Sequence, residues 1–169
     1  MDFTIRVVRR QEHAELGEVI AQAYLVDGLL AFGEADWYLG ELRDVAKRAS
    51  SAEVLVAVDA EGTVLGGVTF VPSPGPMADL ARAGEAEIRM LAVDRAARGR
   101  GVGEALVRAC VDRARAVAGC VRIVLSTQSA MHGAHRIYER LGFRRTPERD
   151  WNPIPEHPEF VLLSYALEL

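Results

Sequence analysis

The run Arg98-Gly99-Arg100-Gly101-Val102-Gly103 limits what this chain can fold into. An apolar, strand-like stretch precedes it (residues 88–93) and a helical one follows (104–118). Glycine at alternate positions lets the backbone turn sharply and approach a ligand closely. The helix that follows aims unpaired N–H groups, and the positive end of its dipole, into that turn. A strand, a glycine turn and a helix in this order make a place for an anion, phosphate above all.

The rest of the chain reads as alternating elements. Residues 3–8 form a first strand, and 11–24 a helix with Leu16, Val19, Ile20 and Ala23 on one face. Asp27-Gly28 breaks it, and 34–49 reads as a second helix. Residues 54–58 and 63–71 pair as a hairpin around 59–62. Three prolines between Pro72 and Pro76 make 72–83 a surface loop. Strand 85–93 leads through the glycine turn into a helix ended by Gly119. Strand 121–125, helix 130–141, an extended piece from Phe143 and strand 160–167 follow. This order predicts an α/β sandwich on a partly parallel, partly antiparallel sheet, with 85–125 as a parallel crossover.

Bulk properties narrow the partners. The 169 residues suit one domain, and the net charge of −4 points away from nucleic acid and anionic membranes. No run reaches the roughly 18 apolar residues of a membrane span, and residues 1–6 lack a signal-peptide core. Cys110 and Cys120, the two cysteines, read as reduced thiols rather than a disulfide or metal site. The expected location is the cytoplasm.

Three phosphate-binding turns are separable here. A Walker loop needs Gly-Lys-Ser/Thr, which is missing. A dinucleotide turn needs a third glycine at the sixth position, where Glu104 or Leu106 stands instead. Arg98-x-x-Gly101-x-Gly103 after Met90-Leu91-Ala92-Val93 resembles the acyl-coenzyme A motif of the GNAT (GCN5-related N-acetyltransferase) superfamily. Ile137-Tyr138-Glu139-Arg140-Leu141-Gly142-Phe143 resembles that family's second signature. Two departures stand out: Arg95 replaces a common proline, and Met131 replaces a frequent asparagine, for which Ser126, Thr127 or Ser129 can substitute.

The resemblance implies a mixed, mostly antiparallel sheet of about six or seven strands with splayed central strands and about four helices. It implies acetyl-CoA as acyl donor, no metal, and an amine acceptor. Leu91, Ala92 and Val93 would pair with the pantetheine arm. The backbone of Arg98, Gly99, Arg100, Gly101, Val102, Gly103 and Glu104 would hold the pyrophosphate. Direct attack of the amine on the thioester in a ternary complex needs a base, an oxyanion donor and an acid for the leaving thiolate. The family's motif makes Tyr138 the acid; the bland alternative is a core tyrosine. Ala86-Glu87-Ile88 resembles the strand carrying the base of histone-type members, which makes Glu87 the candidate base, directly or through water. Glu85 is the alternative, and an arginine-paired structural carboxylate is the plain reading of Glu87. The oxyanion donor is a backbone N–H near Leu91 or Val93. Trp37, Tyr38 and Trp151 are candidates for the acceptor pocket, and Asp150 could attract an ammonium. His132 and His135 read as a solvated helix face. Transfer of a longer acyl chain, a non-catalytic acyl-CoA sensor, and a homodimer through the last strand stay open.

Overall fold

Alternation along the central strands sorts the apolar side chains into two layers. The computed structural model describes residues 2–169. Its elements are β1 (Phe3–Val7), α1 (His13–Val26), α2 (Tyr38–Arg43), α3 (Val45–Ser51), β2 (Glu53–Asp59), β3 (Val64–Val71), β4 (Glu85–Val93), α4 (Val102–Ala116), β5 (Arg122–Gln128), α5 (His132–Arg140), β6 (Arg144–Arg145) and β7 (Leu162–Glu168). The strands form one seven-stranded sheet in the order β1-β2-β3-β4-β5-β7-β6. β4 and β5 run parallel; every other neighbouring pair is antiparallel.

On β2, Leu55 and Ala57 share a core with Leu106 and Cys110 of α4, whereas Val54, Val56 and Val58 join Leu16, Ile20 and Leu42 of α1 and α2. This is the period-two pattern of a strand buried on two faces. Gly67 has no side chain because a Cβ there would lie 2.6 Å from a methyl carbon of Leu16.

β4 breaks the alternation, and the break shapes the site. Ala86 and Ile88 face the α4 core, but Met90 and Ala92 lie in the α1 core. Thr69 pairs with Arg89 while Gly67 pairs with Ala92, so one residue of β3 opposes two of β4. Met90 takes up the extra residue as a β-bulge, with φ of 55°. Beyond the bulge, Leu91 and Val93 pack on the α4 side.

β4 pairs with β5 only from Glu85↔Arg122 to Ile88↔Leu125. β5 continues to Gln128 on β7, and β4 continues to Val93 on β3. The two strands therefore part after Ile88 and leave one edge of residues 89–93 without a neighbouring strand.

The helical stretch expected at 34–49 is two helices, so the described residues form five α-helices. Asp44 interrupts it with ψ of 65° and restarts the second piece as an N-cap, accepting from Lys47 N–H (3.1 Å). Arg48 of α3 is buried and donates to the carbonyls of Leu42 (3.0 Å) and Glu41 and to the Thr69 hydroxyl (3.2 Å). Its cation thus sits on the negative end of α2.

Candidate active site

The glycine turn has the backbone its sequence calls for. Gly99 and Gly101 have φ of 81° and 82°, in the left-handed region. Among the described residues, no acceptor serves the backbone N–H groups of residues 99–104; the first intrahelical bond is Ala105 N–H to Gly101 O (3.0 Å). A Cβ on Gly103 would stand 3.0 Å from Ile137 Cδ1, so glycine lets α4 start hard against α5.

The turn opens onto a groove of about 910 Å³. Leu91, Ala92, Val93, Arg98, Gly99, Gly101, Val102, Gly103 and Glu104 line it. The side chain of Arg100 does not: it turns away to Asp2 (2.7 Å), leaving only its backbone N–H to the turn. Arg98 is held by Asp27 at the end of α1 through two hydrogen bonds (2.7 and 3.1 Å). Glu104 pairs with Arg140 (2.6 Å). His132 also lines the groove, whereas His135 hydrogen-bonds the Gln128 carbonyl (2.9 Å).

A second cavity of about 340 Å³ fills the gap between β4 and β5. The two spaces share Tyr24, Leu29, Leu91, Met131 and Ala134, so a molecule in the groove can reach into the cavity through the split in the sheet. Trp37, Tyr38 and Trp151 all line this cavity. Trp37 is 65% exposed at its mouth, so it is no core residue. Trp151 donates from Nε1 to Ser126 Oγ (2.9 Å).

Glu87, Arg89 and Tyr138 meet there. Tyr138 packs against Phe143 and Tyr165, and burial raises its phenol above the ordinary range, so it stays protonated. Among the described residues nothing hydrogen-bonds its hydroxyl. Glu87 is 1% exposed. Its Oε1 accepts from the N–H groups of Leu80 (2.8 Å), Ala81 (2.8 Å) and Asp79 (3.1 Å), while Oε2 has only a long contact with Asp79 N–H (3.2 Å). Burial pushes its carboxyl up and outweighs these hydrogen bonds.

Glu85 lies outside the cavity wall. It accepts from Arg149 (2.9 Å), Arg122 (2.8 Å) and Arg82 N–H (2.9 Å). Burial pushes its carboxyl up, but Arg149 and Arg122 prevail and hold it at about 2. Asp150 is likewise taken, by Arg145 (2.8 Å) and Ser164 N–H (2.8 Å). Sequence reasoning missed Tyr24 and Arg89 as cavity residues. Arg89 alternates with Glu87, which was the one available signal.

Among the described residues, no helix is long and apolar enough to cross a membrane. The fold has many relatives of known structure. An acetyltransferase of GNAT family from Staphylococcus aureus superposes with a TM-score of 0.74 at 16% identity, covering 99% of each chain. A GCN5-related N-acetyltransferase from Kribbella flavida gives 0.73 at 24% identity, over 99% of this chain and 98% of that one. A GNAT superfamily phosphinothricin acetyltransferase from Sinorhizobium meliloti, solved with acetyl-CoA, gives 0.72 at 18% identity, over 100% of this chain and 89% of that one. These likenesses establish the fold. In sequence, a 69-residue segment is 36% identical to N-acetylaspartate synthetase of Danio rerio; it spans 41% of this chain and 24% of that protein. Residues 20–143, from α1 through both glycine motifs, match the model of the acetyltransferase (GNAT) family, and the chain belongs to that family.

Proposed function

We propose that the protein moves an acetyl group from acetyl-CoA to the primary amine of a small acceptor, by direct attack while both are bound. The observation that carries this reading is the continuity of two spaces. A turn with six unanswered N–H groups sits at one end, and a cavity walled in part by aromatic side chains sits at the other. The relatives named above include one solved with acetyl-CoA and one named for N-acetylaspartate synthesis, which favours a small acceptor. The cavity volume falls at the low end of the range for small-molecule sites.

In this reading the N–H groups of residues 99–104 bind the pyrophosphate, and Gly101, with open space where a Cβ would stand, keeps the approach clear. The free edge of Leu91, Ala92 and Val93 hydrogen-bonds the amides of the pantetheine arm as a neighbouring strand would. Glu87, through Oε2 and a water, takes a proton from the ammonium so that its nitrogen can attack the thioester carbonyl. A backbone N–H at Leu91 or Val93 steadies the oxyanion. The carbon–sulfur bond breaks, the Tyr138 hydroxyl gives its proton to the departing sulfur, and the second proton shed by the acylated nitrogen returns to the phenolate, directly or through water.

The test is thiol release from acetyl-CoA in the presence of a panel of amines. Acceptor-dependent thiol with formation of the N-acetyl product is expected. Tight acetyl-CoA binding without acceptor-dependent thiol across the panel would replace the enzyme with a sensor.

A further inference from the structure

The cavity has a donor-rich end. Arg89 is the one cation among the described residues that line it. Its side chain is 13% exposed. A guanidinium carries five N–H donors. The Met77 carbonyl takes one (2.8 Å), and Asp79 Oδ2 pairs with the guanidinium at 3.0 Å. The other N–H groups have no hydrogen-bond partner among the described residues.

The neighbours of Arg89 offer donors too. Tyr24 and Tyr38 line the same cavity with their rings 6.3 Å apart, and no described residue accepts from either hydroxyl. Arg48, held between α2 and β3, is buried and bonded to carbonyls and a hydroxyl rather than to a carboxylate. The carboxylates nearby are engaged. Asp36 accepts from the N–H groups of Phe32 (3.1 Å) and Tyr38 (2.9 Å), and Oε1 of Glu87 is taken by three N–H groups. A nearly buried cluster of unfilled donors calls for an acceptor-rich ligand group.

We infer that the acceptor is a small amino acid or amino-acid analogue, whose carboxylate is received by Arg89 with the hydroxyls of Tyr38 and Tyr24. This rests on the acetyl-transfer reading above. Along β4, Arg89 stands between Glu87 and Leu91. A molecule with ammonium and carboxylate on one carbon can therefore present its nitrogen to the thioester while Arg89 holds its other end. The volume of about 340 Å³ leaves room for a side chain among Trp151, Phe160 and Leu162.

The experiment compares acceptors on the wild-type protein. The twenty common amino acids are screened with acetyl-CoA, and the best is set against its carboxamide and its decarboxylated amine. The free acid is expected to exceed both in kcat/KM by about 100-fold or more, because a site built for a polar group rejects an analogue that leaves it unpaired. Arg89→Gln is expected to raise KM for the acid at least tenfold and to leave KM for acetyl-CoA unchanged, with partial recovery in Arg89→Lys. Tyr38→Phe, which leaves the Met77 and Asp79 contacts in place, checks the same effect if Arg89 variants fail to fold. Carboxamide or amine turned over within threefold of the acid would overturn the inference while acetyl transfer stands. No acceptor-dependent thiol from any of the three classes would remove the underlying reading and this one with it.

Discussion

Glu87 and Arg89, two positions apart on β4, hold one stretch of loop by opposite chemistry. The carboxylate of Glu87 accepts from the N–H groups of Asp79, Leu80 and Ala81, and the guanidinium of Arg89 donates to the Met77 carbonyl and pairs with Asp79. Residues 77–81 are irregular, so their polar backbone needs partners from outside. Two charged side chains on the cavity face of a strand supply them. The wall of the cavity is thereby fixed by the same pair proposed to work inside it.

The arrangement bears on pH. Burial raises the Glu87 carboxyl above the ordinary carboxylate range, so its basic form is reached at higher pH than for an exposed glutamate. The kcat of the wild type should climb as pH rises through that value. Glu87→Gln keeps an oxygen for the loop N–H groups but has no basic form. We expect kcat about 100-fold lower and that limb of the profile gone. An unchanged profile would assign Glu87 to the loop alone.

Tyr138→Phe separates packing from chemistry. The hydroxyl has no partner among the described residues, so its removal should leave the melting temperature within about 2 °C, as a change of a few tenths of a kcal/mol would. Turnover should fall by about tenfold or more, with KM for acetyl-CoA unchanged. A lower melting temperature with normal turnover would make the residue part of the core.

At Gly101 two substitutions give different answers. Nothing lies within 4 Å of a Cβ placed there, but φ of 82° strains any side chain. Gly101→Ala should cost about 1 kcal/mol and still fold. Gly101→Trp should abolish acetyl-CoA binding in calorimetry by filling the approach to the N–H groups. Wild-type affinity in the tryptophan variant would move the phosphate site elsewhere.

Glu85 should govern acid stability. Its carboxyl lies at about 2 in the folded protein against an ordinary 4.5. The unfolded chain therefore binds the proton first on acidification. The stabilisation is complete above about pH 4.5 and is lost as pH falls towards about 2. Glu85→Gln should cost about 3 kcal/mol at pH 7, since it leaves Arg149 buried without its counter-charge. The gap from wild type should shrink by pH 3 in urea melts. An equal gap at both pH values would show that the ion pairs are not its source.

Much of this was legible in the sequence for local reasons. The hairpin turn, the glycine run and the short helix ending in Leu141-Gly142 each carry their own backbone instructions. The bulge at Met90 was not legible. Residues 85–93 read as one unbroken strand, and only the competing demands of two cores, on α4 and on α1, turn the strand over midway. The break at Asp44 had a signal, an N-cap residue inside an apolar pattern, that the helical spacing masked. Tyr24 escaped because its place in the cavity depends on where β4 and α1 cross, which no spacing within either element records, whereas Arg89 shares a face with Glu87 by alternation along β4. The motif assigns only the backbone of Arg100 to the turn, and the pairing of its side chain with Asp2, 98 residues away in sequence, could not be foreseen.

With four residue pairs joining β4 to β5, the sheet divides into two wings along a short seam, and one core under α4 holds both. An extended ligand laid between the wings would lengthen that seam with bonds of its own. Amide hydrogen exchange at residues 89–93 and 126–128 should slow on adding coenzyme A, with little change at β1 and β2; uniform slowing would mean that the wings move as one.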